Sequence, residues 1–466
     1  MPDSTSDSIP ETVQAPFDAM RKTWSQNPPP TCRERKKNLT DLLQWVQANE
    51  KRVAQAIDSD FGGRSHHETR LAEVMMVVNG IKHTRSHLEE WMAPQRREVW
   101  WMLEPAQGAI QRQPMGLVGV MAPWNYPFQL AVLPLVQALA AGNRVMIKPS
   151  ELTPQTSELL AEMCAACFPP EQVSVITGGP EIGAAFSGLP FDHLFFTGST
   201  QVGRLVMQAA AKNLTPVTLE LGGKSPVLIH DSYPLAKAAG RIATGKWLNA
   251  GQTCVAPDYV MLPKGKEQAF ADAILAEAER MYPTLGDDYT AIVSERHHKR
   301  QIALLEDAKS KGATVLQRGE SKGRKIPPTV VLNVTDEMTL MQEEIFGPIL
   351  PIEVYEDIDQ AIGRINSRPR PLALYYFDHR NKRAESVLQR TVSGGAVIND
   401  VVIHLANEEL PFGGVGHSGT GSYHGLEGFQ TFSHEKAVFY QSRFAMNGLF
   451  KPPYGSFINF VLDRLI

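Results

Sequence analysis

Short apolar runs alternate with longer amphipathic stretches along the chain from about residue 113 onward. The apolar runs have the length of strands and cover residues 117–122, 144–147, 173–177, 193–196 and 217–221. The stretches between them carry apolar residues at helical spacing and cover residues 130–141, 155–167 and 201–211. Strands that alternate with helices in this way predict a mostly parallel sheet with helices on both faces.

A second series of the same kind begins near Ser225. Its strand-like and helical segments cover residues 226–229, 235–248 and 259–262, and further pairs continue to a strand at 396–398. Two such series predict two doubly wound α/β domains. The boundary is expected close to Gly222 and Gly223, between the last strand of the first series and the first strand of the second.

Three segments lie outside the two series. Residues 11–60 are predicted to be helical because their apolar residues recur at helical spacing. The polar stretch at 96–114 interrupts the first series, and we interpret it as an arm used in subunit contacts. The tail from 439 to 466 is rich in aromatic and aliphatic residues. It is expected either to pack on the protein surface or to form a helix that covers a substrate entrance or touches a membrane.

The composition narrows the class of protein. With 466 residues the chain is too long for one hydrophobic core, and its net charge of -4 gives no attraction to nucleic acid or an anionic membrane. No run of about 18 apolar residues predicts a membrane-spanning helix. The acidic N-terminus lacks the features of a signal peptide. Four cysteines are too few for a disulfide framework, so we expect a reducing, cytoplasmic location.

Potential metal ligands show no known pattern of spacing. Cys164 and Cys167 form a C-x-x-C, but they end a helical run and are expected to pack. The pairs His66-His67 and His297-His298 are adjacent in the chain, so their rings diverge on a helix, and we expect a solvated surface. Neither H-E-x-x-H nor a paired C-x-x-C occurs, and the sequence therefore predicts no metal.

Chemically distinctive residues follow the predicted strands of the first series. The segments are Pro-Trp-Asn-Tyr-Pro at 123–127, Lys-Pro-Ser-Glu at 148–151, Thr-Gly-Ser-Thr at 197–200 and Glu-Leu-Gly-Gly-Lys at 220–224. Ligands of open α/β sheets bind beyond the carboxyl ends of the strands. The shared placement therefore predicts one site formed by these four segments.

One of these segments could bind a phosphate. Gly198-Ser199-Thr200 opens a helix whose free N–H groups favour an anion. An ordinary helix N-cap at Ser199 or Thr200 is the alternative. The G-x-G-x-x-G at 414–419 follows no clear strand, and Gly223-Lys224-Ser225 lacks the first glycine of a phosphate loop, so neither predicts a nucleotide site.

Cys254 is the candidate nucleophile. It lies in a segment of small and turn-forming residues, 251–257, which predicts a loop after a helix. A thiol ionises more easily than a hydroxyl and is the best nucleophile near neutral pH. A buried structural cysteine is the alternative interpretation.

Seven segments in a fixed order give the chain a resemblance to aldehyde dehydrogenases along nearly its whole length. They are PWNYP at 123–127, KPSE at 148–151, FTGST at 196–200, ELGGK at 220–224, GQTC at 251–254, EEIFGP at 343–348 and PFGG at 411–414. The short N-terminal portion and the segment 251–260 resemble the class 3 enzymes, and among these the bacterial coniferyl-aldehyde dehydrogenases.

The resemblance implies a role for each matching residue. Cys254 would be the nucleophile, Glu220 the general base and Asn125 the side chain that holds the oxyanion. The residues that would contact the cofactor are Trp124, Lys148, Ser150, Glu151, Gly198, Ser199, Glu344 and Phe346. Within this set, Lys148 and Glu151 match contacts to the adenosine ribose. Gly198 and Ser199 match the pyrophosphate turn, and Glu344 and Phe346 lie beside the nicotinamide in the family.

The resemblance also implies a domain division and an activity. Residues 1–95 and 115–221 would bind the dinucleotide, 222–415 would form the catalytic domain, 96–114 and about 430–440 a bridging arm, and 441–466 a tail. The expected activity is NAD-dependent oxidation of an aromatic, coniferaldehyde-like or medium-chain aldehyde to the acid by a homodimer, with NADP as an alternative cofactor. A binding protein on an inactive scaffold would lack Cys254, Glu220 or Asn125. An acylating enzyme would pass the acyl group to coenzyme A, and the presence of Glu220 favours water instead.

Overall fold

The computed structural model describes residues 9–444 and 451–466. Its α-helices are α1 (Glu11–Gln26), α2 (Cys32–Ala48), α3 (Glu50–Phe61), α4 (His66–Thr69), α5 (Met75–Met92), α6 (Gln129–Ala141), α7 (Pro154–Cys167), α8 (Pro180–Ser187), α9 (Thr200–Ala211), α10 (Leu235–Trp247), α11 (Glu267–Met281), α12 (Glu295–Ser310), α13 (Thr339–Gln342), α14 (Ile358–Asn366), α15 (Asn381–Arg390), α16 (Gly425–Thr431) and α17 (Ser456–Leu465). Its strands are β1 (Gln95–Arg97), β2 (Gln107–Pro114), β3 (Leu117–Met121), β4 (Arg144–Lys148), β5 (Val173–Val175), β6 (His193–Gly198), β7 (Val217–Leu221), β8 (Pro226–Ile229), β9 (Tyr259–Pro263), β10 (Thr314–Gln317), β11 (Thr329–Leu332), β12 (Ile349–Tyr355), β13 (Ala373–Phe377), β14 (Gly395–Ile398), β15 (Gly419–Thr420) and β16 (Ser433–Tyr440).

The first of two large sheets contains the strands β3 to β7 and the short strand β15. Its order is β15-β7-β6-β3-β4-β5, and only the short edge strand β15 runs antiparallel to its neighbour. Helix α6 is buried on all its sides against this sheet and the N-terminal helices, so its sequence is apolar all round rather than amphipathic.

The second large sheet has the order β10-β11-β12-β9-β8-β13-β14, and only β10 runs antiparallel. The chain passes from the first sheet to the second between Leu221 and Pro226. The predicted α/β class with two parallel sheets is therefore confirmed. The residue limits of the domains stay a prediction.

A third, antiparallel sheet has the order β1-β2-β16. Strands β2 and β16 pair over eight positions, from Ser433 opposite Pro114 to Tyr440 opposite Gln107. The two segments assigned to the bridging arm thus lie side by side in one sheet, although they come from distant parts of the chain.

The N-terminal helical region differs in one respect from the prediction. Three helices, α1 to α3, replace a single helical stretch, and the first break follows Gln26. Pro28, Pro29 and Pro30 explain this break, because proline cannot donate to the helix ladder and restricts the residue before it.

The described part of the C-terminal tail contains helix α17. Phe457, Phe460 and Leu462 are exposed there, and Ile458 is its buried residue. Residues 445–450 of the tail and residues 1–8 of the N-terminal segment lie outside the described residues. No helix within 9–444 and 451–466 is long and apolar enough to cross a membrane.

Candidate active site

A cavity of about 550 Å³ lies at the carboxyl ends of the strands of the first sheet, where it meets the second. Most of the residues singled out in the sequence line this cavity, namely Trp124, Asn125, Gly198, Ser199, Glu220, Cys254, Glu344 and Phe346. Segments far apart in the chain therefore meet in one place. Lys148, Ser150 and Glu151 do not line this cavity.

Asn125 lies in the loop between β3 and α6 and is buried. Its backbone carbonyl oxygen accepts hydrogen bonds from Arg64 Nη1 and from Asn249 Nδ2, each at 2.9 Å. Its side-chain Nδ2 donates to the Gln252 carbonyl oxygen at 3.1 Å. An amide nitrogen carries two protons, so one N–H remains as a donor beside the cavity.

Cys254 follows α10 through a turn in an uncommon backbone conformation. Asn249 and Ala250 both have φ of 52°, and Gly251 has φ of 75°. Left-handed conformations cost non-glycine residues of order 1–3 kcal/mol, so the surrounding contacts must hold them. The buried Gln252 side chain supplies such contacts, because Nε2 donates to the carbonyl oxygens of Asn249 and Ala291 at 3.0 and 3.1 Å.

A second link joins the two loops. The Tyr126 hydroxyl lies 2.7 Å from Thr253 Oγ1, one residue from Asn125 on one side and from Cys254 on the other. Together with the Asn125 contacts, this hydrogen bond fixes the position of the amide relative to the thiol.

The Cys254 thiol is partly buried. Burial raises its pKa to about 12, and the nearby carboxylates of Glu344 and Glu220 act in the same direction. The free thiol is therefore protonated near neutral pH. Any nucleophilic role requires that this proton be removed.

Glu220 lies on β7 and is buried, so the solvent-exposed alternative does not apply. Neither of its carboxylate oxygens has a hydrogen-bond partner among the described residues. Burial raises the pKa of Glu220 well above its ordinary range. A raised pKa makes the ionised form of this carboxyl group a stronger base, so the carboxylate can take a proton from a thiol or from water.

Glu344 is a second carboxyl group of the cavity with a raised pKa. Burial raises its pKa to about 8, and a hydrogen bond from the Gly223 backbone opposes this shift. A side-chain carbon at position 222 would collide with the Glu344 carboxylate, which explains glycine at this position.

Three rings form one wall of the cavity. The Trp124 ring lies 5.3 Å from the Phe346 ring and 5.0 Å from the His297 ring, measured between centroids. The expectation that His297 belongs to a solvated surface was wrong, since this half-buried residue lines the cavity and burial lowers its pKa to about 4. His297 and His298 are adjacent on α12, so their rings point in different directions. Of the two, His297 lines the cavity.

The N-terminus of α9 forms another part of the wall. Ser199 is its N-cap, and the Oγ atom accepts a hydrogen bond from the Val202 backbone N–H at 3.3 Å. Gly198, Ser199, Thr200 and Gln201 all line the cavity. The capping interpretation is therefore correct, and the helix start faces a cavity as an anion site requires.

The KPSE segment lies at the end of β4, outside the 550 Å³ cavity. Lys148 Nζ lies 3.0 Å from the Pro149 carbonyl oxygen and 3.5 Å from Glu151 Oε2. Ser150 Oγ accepts from the Leu152 backbone N–H at 3.2 Å, which is a local turn contact. Glu151 itself is exposed.

An ion pair that the sequence analysis missed supports the Asn125 loop. Arg64 and Glu73 side chains are both 0% exposed, and Arg64 Nη1 lies 2.9 Å from Glu73 Oε1. Glu73 Oε2 accepts from the backbone N–H groups of Phe128 and Gln129 at 2.8 and 3.0 Å. The pair thus holds the start of α6 as well as the carbonyl of Asn125.

A second missed carboxyl group, Glu68, supports the loop before Cys254. Thr290 Oγ1 donates to Glu68 Oε2 at 2.7 Å, and the Asn249 backbone N–H lies 3.3 Å from both carboxylate oxygens. In the sequence, the buried charged residues of the N-terminal helices cannot be distinguished from charged residues on a solvated helix face. One local signal in the structure is a turn of π-helix at Arg70–Val74, a feature that is frequent at functional sites.

Cys254 also lines a second, narrow cavity of about 70 Å³. This cavity has mostly apolar and aromatic walls, formed by Ala72, Tyr126, Gln129, Leu130, Leu248, Thr253, Val402, Leu405, Phe412, Tyr423 and His424. A thiol between a polar and an apolar cavity, with an amide donor and a proton-accepting carboxyl group nearby, can add to the carbonyl carbon of an apolar molecule.

Comparison with known proteins gives consistent matches. The model of the aldehyde dehydrogenase family matches residues 1–438. A Pseudomonas aeruginosa protein named probable coniferyl aldehyde dehydrogenase is 48% identical, over 97% of this chain and 96% of the relative. A Staphylococcus aureus AldH structure in a substrate-bound state has a TM-score of 0.93 and 37% identity, over 97% and 99% of the two chains. An NAD+ complex of a Bacillus cereus aldehyde dehydrogenase has a TM-score of 0.84 and 28% identity, over 92% and 89% of the two chains.

Proposed function

Since the chain belongs to the aldehyde dehydrogenase family and is an oxidoreductase that acts on aldehydes, we propose that it forms the acid through a thioester on Cys254. The observation that carries this proposal is the position of Cys254, which lines both the polar cavity and the apolar cavity. A thiol that adds to an aldehyde and then holds it beside a cofactor must be accessible to both molecules, one from each cavity.

The first step is addition of the Cys254 sulfur to the aldehyde carbon. An aldehyde has no leaving group, and addition supplies the tetrahedral centre from which a hydride can depart. The thiol loses its proton in this step, and we assign the buried Glu220 carboxylate as the acceptor, which must release that proton to solvent before it can act again. The resulting thiohemiacetal oxyanion needs donors, and the free N–H of Asn125 with the Cys254 backbone N–H can provide them. Loss of one such donor costs about 3 kcal/mol of barrier in other enzymes.

We propose NAD as the cofactor in the larger cavity, with NADP as an alternative. The fit rests on the helix start at Gly198 and Ser199, which can hold a pyrophosphate, and on the close approach of Glu344 to Gly222. Lys148 and Glu151 would hold the adenosine ribose, and Trp124, Ser150 and Phe346 complete the set of contacts. When bound, the oxidised nicotinamide accepts the hydride and brings a positive charge that favours the thiolate.

The last step is hydrolysis of the thioester on Cys254. Water is a weak nucleophile, so a base must take its proton as it attacks the carbonyl carbon. Glu220 is the base that we assign, because its buried carboxylate has no hydrogen-bond partner within the described residues and is free to bind water. This assignment favours water over coenzyme A as the acyl acceptor.

We propose aromatic, coniferaldehyde-like aldehydes as substrates, with medium-chain aldehydes as the second class. Support comes from the aromatic side chains of Tyr126, Phe412 and Tyr423 in the apolar cavity. The name of the Pseudomonas aeruginosa relative, probable coniferyl aldehyde dehydrogenase, agrees with this choice.

The experiment is a comparison of kcat/KM for benzaldehyde, coniferaldehyde, hexanal and acetaldehyde with NAD, without coenzyme A. We expect the aromatic and medium-chain aldehydes to be preferred. Cys254→Ala should abolish turnover, whereas Cys32→Ala, a partly buried cysteine outside the site, should not. A preference for acetaldehyde would overturn the substrate class, and dependence on coenzyme A would overturn hydrolysis.

We further propose a homodimer. Helix α9 exposes Val202, Leu205 and Met207, and the third sheet exposes Phe439 and Tyr440. Where such exposed apolar residues form one patch, the patch is typical of a surface that a second copy covers. Sedimentation at micromolar concentration should give a dimer, and a monomer would overturn this proposal. A cytoplasmic location also stays a prediction, supported by the few cysteines.

A further inference from the structure

Three potential metal ligands lie together on the side of the molecule where α5 meets the loop at 407–411. They are His83 and His87 of α5 and Glu409 of the loop. One ligand atom from each lies within 4.8 Å of the other two, and His83 Nε2 lies 3.4 Å from Glu409 Oε1. None of these residues lines either cavity that contains Cys254.

The spacing of the two histidines suits a shared ion. Residues four apart lie on the same face of a helix, and the two ring centroids are 4.3 Å apart. His87 Nδ1 lies 2.9 Å from the His83 carbonyl oxygen. This contact places the His87 proton on Nδ1 and leaves the Nε2 lone pair for a ligand. Histidines that bind metals usually have a second-shell partner of this kind.

The surroundings hold both rings in place. The Trp91 ring lies 5.7 Å from each histidine ring and is stacked on His87 with an interplanar angle of 15°. Glu409, in contrast, is largely exposed, which leaves a route for an ion from solvent.

The loop that carries Glu409 is anchored next to the cluster. The neighbouring residue, Glu408, is buried, and its Oε2 atom accepts from the Gly425 backbone N–H at 3.3 Å. A methyl group at Gly425 would lie 3.4 Å from His83 Nε2, so the start of α16 also packs on the cluster. The Glu409 backbone is thereby held beside α5.

We propose that His83, His87 and Glu409 bind one divalent transition-metal ion of the zinc type, with water in the remaining position. Two imidazoles and one carboxylate are ligands that zinc prefers, whereas magnesium and calcium prefer oxygen alone. The ion joins α5 to the loop that leads into Phe412, a wall of the apolar cavity. It therefore stabilises the substrate side of the site without taking part in the reaction. The carboxylate lies far along the chain from the two histidines, so the spacing in the sequence does not indicate this cluster.

The test uses the full chain, freed of metal with a chelator and then titrated with Zn²⁺ by calorimetry and with Co²⁺ by visible absorption. We expect one ion per chain, cobalt bands of nitrogen and oxygen ligation, and a higher Tm with zinc. Glu409→Gln should weaken binding about tenfold or more, and His87→Asn should abolish it. The exposed Glu409 is the safest of the three positions, because its substitution does not alter the core.

The matched control is the double variant His66→Asn, His67→Asn. These exposed histidines also lie near carboxylates, at 3.5 Å from Asp58 and 3.8 Å from Asp288, but they do not converge. Binding should be unchanged in this control. Unchanged affinity in Glu409→Gln or His87→Asn would overturn the proposal. So would a thiolate band from cobalt that disappears in Cys254→Ala, since it would place the ion on the thiol.

Discussion

Arg64 Nη1 lies 2.9 Å from the backbone carbonyl oxygen of Asn125, and the same guanidinium group is paired with Glu73 in a fully buried site. The Arg64 guanidinium also lies 4.9 Å from the centre of the Tyr126 ring. A charged group from the N-terminal helical region thus fixes the backbone of the proposed oxyanion donor. Arg64 touches no reacting atom in the proposed mechanism and is a positioning residue.

Replacement of Arg64 should therefore affect both stability and the reaction. Arg64→Met leaves Glu73 buried without its partner, and such a loss costs about 3–5 kcal/mol of unfolding free energy. A second change, Glu73→Gln, should restore much of this stability but little of the activity, because the Asn125 carbonyl still lacks one of its two donors. We expect kcat to fall about tenfold or more, with a smaller change in KM.

Denaturant unfolding and steady-state kinetics on the single and double variants check this prediction. The matched control is Arg52→Met, which removes an exposed ion pair with Glu162 and should change neither property appreciably. Equal recovery of stability and kcat in the double variant would show that Arg64 acts only on folding.

The roles proposed for Cys254 and Glu220 can be separated in time. If Glu220 acts mainly in hydrolysis, Glu220→Gln should give a rapid burst of NADH approaching one per active site, followed by slow turnover. Mass spectrometry should then find the acyl group on the peptide that carries Cys254. If Glu220 also deprotonates the thiol, the burst itself should slow and recover in part at higher pH.

Glu385→Gln, on the exposed side of α15, is the control for that experiment and should behave as the wild type. Normal steady-state turnover in Glu220→Gln would contradict both versions and require a different base.

The buried Glu220 should also make stability depend on pH. Burial raises its pKa in the folded chain above the unfolded value of about 4.3. The folded state then binds more protons than the unfolded state above that pH, so this group lowers stability as the pH rises. The amide in Glu220→Gln does not titrate. The Tm of the variant minus that of the wild type should therefore grow as the pH rises above the unfolded pKa of about 4.3, and a constant difference would argue against a raised pKa.

Glu151 provides a test of cofactor choice. Its carboxylate should accept hydrogen bonds from the adenosine ribose hydroxyls and repel a phosphate at the 2′ position. Glu151→Gln should therefore raise the kcat/KM for NADP relative to that for NAD. Glu158→Gln, on the following helix α7, is the control and should leave the ratio unchanged. If the ratio is also unchanged in Glu151→Gln, this residue does not face the ribose.

The sequence predicted the parts of the site that come from short segments at strand ends. Asn125, Glu220 and Cys254 follow or end predicted elements, and they line one cavity as expected. The residues that hold these three side chains in position could not be predicted from the sequence in the same way. Arg64, Glu68 and Glu73 contact loops far along the chain, and only the tertiary structure shows that their charges are buried and paired. The left-handed turn at Asn249 and Ala250 likewise has no signature, because neither residue type requires it.

The strand that carries Glu220 is completed late. Gly419 of β15 pairs with Glu220 of β7, and β16 pairs with β2 near the opposite end of the chain. During synthesis on the ribosome, nearly half of the polypeptide must emerge after Glu220 before its strand gains this neighbour. The nascent chain therefore exposes an unpaired sheet edge during a large part of its translation, and a protein truncated before residue 419 would retain the Cys254 loop and lack a closed site. Quality control in the cell would then act on a truncated chain that still contains Asn125, Glu220 and Cys254.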